Sequence, residues 1–267
     1  MGMITVNGVR THYERMAPKA DPTGREPVLV CVHGLGYDSL ASFYLTVAAP
    51  LAAAGVDVLT YDLRAHGRTE RPTTGYLVSD FVEDLRVLLD QLGVDRPVHL
   101  MGNSFGGTIA FSYAARFPER VHSVIAIEAE PATDGWADRM GRTLSNVIDE
   151  MHKEENLLWV EQTFGAHHAR LARAAGALIM ATSIVQDVPR GPLLDGVGLA
   201  SIRCPVLSIV GSEGFQREDL TGLEGLLPDC RTEIMRGTGH SVLVERHRDV
   251  RELVLDWVRQ HDPVGVA

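Results

Sequence analysis

Residues 98–107 read Val-His-Leu-Met-Gly-Asn-Ser-Phe-Gly-Gly, an apolar strand pattern followed at once by a helical one. A strand that bends sharply into a helix strains the residue at the bend, and flanking glycines let neighbouring backbone pass without a clash. The bend would present the Ser104 hydroxyl at a helix N-terminus, where free N–H groups favour negative charge. The motif therefore predicts a nucleophilic serine rather than a phosphate-binding glycine loop, whose lysine and glycine spacing it lacks.

Strand and helix patterns alternate on both sides of this bend. Continuous apolar runs such as 28–32 and 206–210 are typical of strands buried on both faces of a parallel sheet. Near the N-terminus, Asn7-Gly8 indicates a hairpin turn within residues 3–15. Strands that alternate with helices predict an α/β fold, here a doubly wound, mostly parallel sheet of about eight strands.

The alternation stops between Pro131 and Leu199. That segment carries helical patterns but no apolar run that resembles a buried strand. We therefore expect a core domain made of residues 1–130 and 200–267, with a helical insertion at 131–199. In the second part of the core, helices are predicted near 217–227 and 242–260.

Composition restricts the partners. The 267 residues include 25 Lys and Arg against 35 Asp and Glu, and lysine occurs only at positions 19 and 153, so nucleic acid is not an expected partner. The three cysteines form no CxxC pair, which predicts neither a disulfide framework nor a metal site. No hydrophobic signal core and no run of 18 apolar residues occurs, so we expect a cytoplasmic protein with no membrane partner. The expected partner is a small-molecule substrate, with no cofactor; a homodimer stays open.

A serine hydroxyl needs a base to accept its proton. His240 is the best candidate of the eleven histidines, because it lies in a loop between a strand pattern and the last helix. That loop is predicted at the same sheet edge as Ser104. His33 directly precedes Gly34-Leu35-Gly36, where an imidazole would rather brace the loop.

At this point the chain resembles the α/β-hydrolase superfamily over essentially its whole length. The matching pieces occur in the family's order: residues 33–36 (HGLG), 62–69 (DLRAHGRT), 102–107 (GNSFGG), 117–121 (FPERV) and 239–240 (GH). The resemblance implies that Ser104 is the nucleophile and His240 the general base. It also implies an oxyanion hole formed by the backbone N–H groups of Leu35 and Phe105. Residues 131–199 would be a lid inserted between the sixth and seventh strands.

The acid partner of His240 is less clear. Family members commonly carry an aspartate three residues after the glycine that ends the seventh strand, and Gly214 occupies that position. A second known location is the end of the sixth strand, as in haloalkane dehalogenases, and the matching position is Glu128. We expect Glu128 to be the acid, with Glu213 and Glu130 as alternatives.

This arrangement favours acyl transfer on an ester, thioester or lactone. Because the insertion is rich in large apolar residues, the substrate is expected to be small and largely apolar. The elbow also resembles that of carbon–carbon bond hydrolases acting on diketones, although Tyr37-Asp38 stands where those enzymes usually carry Pro-Gly. A non-catalytic, small-molecule-binding protein with a hydrolase fold is the third alternative.

Overall fold

The computed structural model describes residues 2–18, 24–151 and 153–262. Within these ranges eight strands form one sheet. The strands are β1 (Gly2–Val6), β2 (Val9–Met16), β3 (Val28–Val32), β4 (Asp57–Tyr61), β5 (Val98–Asn103), β6 (Val121–Ile127), β7 (Val206–Gly211) and β8 (Cys230–Met235). Asn7 and Gly8 both have positive φ in the tight turn that joins β1 to β2, as the sequence predicted.

The spatial strand order is β1-β2-β4-β3-β5-β6-β7-β8. β1 and β2 pair antiparallel, as do β2 and β4, whereas every pair from β4 to β8 is parallel. The carboxyl ends of β5, β6, β7 and β8 therefore share one edge of the sheet. The observed architecture confirms the predicted α/β fold with its mostly parallel sheet.

Helices cover both faces of this sheet. They are α1 (Ala41–Phe43), a π-helical turn (Tyr44–Ala48), α2 (Ala49–Ala53), α3 (Val78–Gln91), α4 (Phe105–Arg116), α5 (Asp134–Met151), α6 (Glu154–Phe164), α7 (Ala166–Met180), α8 (Ile184–Asp187), α9 (Gly196–Ala200), α10 (Gly222–Leu226), α11 (Val242–Glu245) and α12 (His247–His261). Helices α5 to α9 all lie between β6 and β7 in the chain. We call them the inserted helices.

One predicted helix is much shorter than expected. Instead of a helix over 217–227, only Gly222–Leu226 is helical, and the residues before it form turns. The side-chain amide of the buried Gln216 donates to the carbonyl of Ala129, 2.7 Å away. This tertiary contact ties the loop to the end of β6, which local helical periodicity does not reveal.

The apolar core has two parts, one on each face of the sheet. Helices α3 and α4, together with the inserted helices, contribute to the larger cluster, which includes Phe81, Phe105 and Phe111. Helices α1, α2, α11 and α12 contribute to the other, which includes Phe43 and Trp257. In the described part of the chain no single helix is long and apolar enough to cross a membrane; a bent pair, Ala169–Met180 with Ile184–Arg190, meets that test only when taken together.

Candidate active site

Ser104 lies in the sharp bend between β5 and α4. Its φ of 52° and ψ of −121° are unusual for a residue with a side chain and indicate local strain. Glycines make the bend possible: a Cβ at Gly102 would collide with the backbone of Gly106, and one at Gly106 would collide with the Val32 carbonyl. The Ser104 N–H donates to the Ile127 carbonyl, 2.8 Å away, so the bend is attached to the end of β6.

His240 follows β8 and reaches Ser104 from the C-terminal loop. Its Nε2 atom lies 3.1 Å from Ser104 Oγ, and its Nδ1 atom lies 3.2 Å from Glu128 Oε2. A carboxylate can only accept a hydrogen bond, so Nδ1 carries the proton and Nε2 is free to accept from the serine hydroxyl. The His240 side chain is one-third exposed, which leaves it accessible from solvent.

Glu128 stands directly after β6, and its side chain is fully buried. Its carboxylate accepts hydrogen bonds from the backbone N–H groups of Gly211 and Phe215 in addition to His240. A buried carboxylate is costly unless it is hydrogen-bonded, and these donors offset that cost. The backbone of Glu128 also has positive φ, 48°, so two neighbouring strand ends each carry a strained polar residue.

The loop after β7 has no side chain where the family usually places its acid. A Cβ at Gly214 would collide with the Glu128 carboxylate, because that carboxylate already fills the space. Glu213 is exposed, and its backbone N–H donates to the Thr238 carbonyl, 2.9 Å away. Glu130 forms an ion pair with Arg139. The structure thus brings Glu128, and neither Glu213 nor Glu130, to His240.

Leu35 and Phe105 were predicted to donate their backbone N–H groups. Leu35 lies in the loop after β3, which we call the donor loop (residues 33–38), and Phe105 is the first residue of α4. Within the described ranges, neither N–H group has an intramolecular acceptor. Both donors are therefore available to an anionic oxygen near Ser104.

The donor loop is braced by buried histidines. His66 Nε2 accepts from the Gly36 N–H at 2.9 Å, while His66 Nδ1 donates to the Arg64 carbonyl at 2.8 Å. Burial, aided by the neighbouring His33 ring, lowers the pKa of His66 to about 3, so the ring is neutral and can accept. His33 makes the same two kinds of hydrogen bond: its Nδ1 donates to the Gly34 carbonyl, and its Nε2 accepts from the Leu63 N–H.

Asp38 closes the same loop from the other side. Its carboxylate accepts from the backbone N–H groups of Gly34 and Ser39, both at 2.8 Å. The side-chain amide of Asn103, next to the serine, donates to the same carboxylate at 3.4 Å. These contacts hold the loop in a fixed turn beside Ser104.

Three residues of this region were missed by sequence reasoning. The role of His66 was missed because it lies 30 positions from the Gly36 that it contacts. Asp38 was noted only because Tyr37-Asp38 differs from the Pro-Gly of a related motif. Phe215, whose ring centroid lies 4.0 Å from that of His240, follows Gly214 directly. The absence of the usual acid at Gly214 was the one sequence signal that the loop after β7 is unusual.

The inserted helices lie over this region. The Trp136 ring in α5 stacks on Phe105, with ring centroids 6.3 Å apart, and α7 brings Ala175 close to Gly36 of the donor loop. Trp136 is buried, whereas Trp159 and Met180 are largely exposed. The insertion thus packs apolar side chains into the larger core cluster and also presents apolar side chains to solvent.

The arrangement provides a hydroxyl, an imidazole aligned by a carboxylate, and two free N–H donors. Such a set can deprotonate a serine and stabilise an anionic oxygen. Among the residues that the structure describes, no three His, Cys, Asp or Glu side chains cluster in a way that could hold a metal ion.

Comparisons with known proteins identify the family of the chain. The family model for the alpha/beta hydrolase fold matches residues 27–202. A proline iminopeptidase of Lactobacillus delbrueckii subsp. bulgaricus is 27% identical over 281 residues, with 91% of this chain and 92% of that protein covered. A monoacylglycerol lipase of Mycolicibacterium smegmatis is 38% identical over 135 residues, which cover 49% of this chain and 46% of the lipase.

Solved structures share the architecture as well. The crystal structure of the enol-lactonase from Burkholderia xenovorans LB400 superposes with a TM-score of 0.74 at 22% identity, covering 96% of this chain and 99% of that one. At this level of identity the likeness concerns the fold alone. Because the family model spans well over half of the sequence, the chain belongs to the alpha/beta hydrolase family and is a hydrolytic enzyme, as the resemblance indicated.

Proposed function

We propose that this enzyme is a serine hydrolase that transfers the acyl group of an ester, thioester or lactone to water through Ser104. The observation that carries the proposal is the continuous hydrogen-bond chain from Ser104 Oγ through His240 to Glu128, with distances of 3.1 and 3.2 Å. A serine activated in this way is the group needed to attack a carbonyl carbon.

In the first half of the reaction, Ser104 Oγ bonds to the carbonyl carbon while its proton passes to His240 Nε2. The carbonyl oxygen becomes an anion and accepts from the Leu35 and Phe105 N–H groups. Glu128 holds the imidazole and stabilises its positive charge. His240 then gives the proton to the leaving alcohol or thiol as the carbon–oxygen or carbon–sulfur bond breaks. The product at this stage is an ester of Ser104.

In the second half, water attacks that ester. His240 takes a proton from the water, and the same two N–H groups receive the new anionic oxygen. The proton returns to Ser104 Oγ, and the free acid leaves. In a lactone the alcohol and the acid remain parts of one molecule, so ring opening is the net result.

The inserted helices support an apolar substrate. Residues 131–199 serve in this proposal as a lid, because α5 and α7 contact Phe105 and the donor loop. The similarity to a monoacylglycerol lipase and a proline iminopeptidase supports attack on an acyl carbon but spans different leaving groups. We therefore propose the reaction and the class of substrate, which is small and largely apolar, and we name no single compound.

The test is the hydrolysis of p-nitrophenyl butyrate by wild type, S104A and the control S145A, whose serine is exposed on α5. S104A should lose about 10⁴- to 10⁶-fold in kcat, whereas S145A should match wild type. Thermal unfolding should show that both variants fold. Turnover by S104A close to that of wild type, or no turnover by wild type, would overturn the proposal.

A further inference from the structure

Phe215 lies in the loop after β7, and its backbone is tied to the end of β6. Its N–H donates to Glu128 Oε2 at 3.2 Å, and the next residue, Gln216, donates its side-chain amide to the Ala129 carbonyl at 2.7 Å. Gln216 is itself buried. These two hydrogen bonds fix the position from which the Phe215 side chain extends.

The side chain nevertheless points into solvent. Its exposed fraction is 75%, although the ring lies 4.0 Å from the His240 ring, centroid to centroid, at an angle of 40°. Leaving a phenylalanine side chain in water forgoes the favourable free energy of burying its apolar surface. This ring lies beside the reactive imidazole, with its backbone fixed, and is therefore placed to contact a bound substrate.

The position of the ring relative to His240 defines which part of a substrate it would meet. In the proposed reaction His240 Nε2 protonates the leaving group, so the leaving oxygen must come within hydrogen-bond distance of that imidazole. The carbon atoms attached to this oxygen then lie next to the imidazole and to the ring that contacts it. The acyl oxygen, by contrast, faces the Leu35 and Phe105 N–H groups.

We infer that Phe215 forms a leaving-group subsite that selects esters of apolar, and especially aromatic, alcohols. The inference rests on the proposed function and adds to it the chemical class of the alcohol. An aromatic alcohol would stack on the exposed ring and bury both surfaces. A short alkyl alcohol would cover little of the ring and gain correspondingly less.

The experiment compares benzyl butyrate with ethyl butyrate, which share an acyl group and differ in the alcohol. Wild type should show the higher kcat/KM for the benzyl ester. F215A should lower the benzyl-to-ethyl ratio of kcat/KM about tenfold, mainly by raising KM for the benzyl ester. F215Y, which keeps the aromatic ring, should retain the preference. L226A removes another largely exposed apolar side chain and should leave the ratio at its wild-type value.

A second series separates selectivity from support of the imidazole. Ethyl acetate, butyrate and hexanoate vary only the acyl chain, and F215A should keep their wild-type order. If the ring merely held His240 in place, F215A would lower kcat equally for all esters and shift the pH profile of kcat, which would overturn the inference. An unchanged benzyl-to-ethyl ratio in an active F215A would overturn it while leaving the proposed function intact. A wild type that hydrolyses none of these esters would overturn both.

Discussion

The two sides of Ser104 are built in similar ways but with different acceptors. On the side of the proposed general base, which we call the base side, the buried carboxylate of Glu128 accepts from His240. On the side of the proposed oxyanion hole, which we call the oxyanion side, the buried imidazole of His66 accepts from the Gly36 N–H. Each acceptor fixes one part of the site, but only the carboxylate touches a group whose charge changes during the proposed reaction. His66 therefore needs only to hold the donor loop in position. Glu128 needs to hold the His240 imidazole in position and also to stabilise its positive charge.

The free-energy cost of burying the acceptor also differs between the two sides. Burial of a carboxylate is costly unless several donors hydrogen-bond to it, and Glu128 accepts from the N–H groups of Gly211 and Phe215 as well as from His240. The imidazole of His66 avoids that cost by remaining neutral, since burial lowers its pKa to about 3. We therefore expect substitutions on the base side to impair catalysis more than those on the oxyanion side.

The largest effect is expected from E128Q. The amide keeps the size of the side chain but loses the charge that supports a protonated imidazole, so kcat for p-nitrophenyl butyrate should fall about 10³- to 10⁴-fold. The control is E130Q, because Glu130 pairs with Arg139 and not with His240; it should stay within about twofold of wild type. Equal losses in the two variants would remove the distinction between these carboxylates.

G214A tests the same side without replacing a charged residue. Gly214 has no positive φ, so alanine is compatible with its backbone, but the added Cβ would collide with the Glu128 carboxylate. The carboxylate should move, and a displacement of about 1 Å can cost about 100-fold in kcat. G225A is the matched control, because a Cβ there meets nothing within 4 Å. Wild-type kcat in a folded G214A would show that the position of Glu128 is unimportant.

On the oxyanion side, H66L removes the acceptor of the Gly36 N–H. Because His66 is a positioning residue, we expect a loss of about tenfold in kcat/KM, less than the 10²- to 10³-fold typical of deleting an oxyanion donor itself. H66Q supplies an amide oxygen that can accept and should recover part of the loss. Equal activity in H66L and H66Q would contradict a role based on this hydrogen bond.

His66 should also contribute to the pH dependence of stability. Its pKa is about 3 in the folded chain and about 6.5 in an unfolded one, so between these values only the unfolded state binds the proton. The free energy of unfolding should therefore fall as the pH is lowered below about 6.5, by at most about 1.4 kcal/mol per pH unit from this group. We would measure the free energy of unfolding in urea between pH 6.5 and 4.5. The slope of this free energy against pH should be smaller for H66Q than for wild type. Identical slopes would be inconsistent with a buried neutral His66.

Features that depend on local residue pattern were predictable from the sequence. The glycines at 102 and 106 predicted the bend at Ser104, and the structure shows why, since a Cβ at either would collide with backbone. Uninterrupted apolar runs likewise predicted the buried parallel strands. The prediction of a helix over 217–227 was wrong because Gln216 is hydrogen-bonded to the end of β6. A local periodic pattern does not reveal such a contact.

The site was predictable only in part. Strand order places the ends of β5, β6 and β8 at one sheet edge, which explains why Ser104 and His240 could be paired before their distance was known. Three glutamates qualified as the acid, and only the folded chain shows which carboxylate contacts His240. The role of His66 depends on a contact across 30 positions, and no motif in the sequence links that histidine to the donor loop.

In the proposed reaction His240, aligned by Glu128, activates Ser104. The most direct measurement is the rate at which a fluorophosphonate labels the intact enzyme, with the modified residue located by mass spectrometry, in wild type, E128Q and E213Q. We expect a single adduct on Ser104, formed at equal rates in wild type and E213Q and at least 100-fold more slowly in E128Q. An adduct on another residue, or slow labelling of E213Q with normal labelling of E128Q, would contradict it.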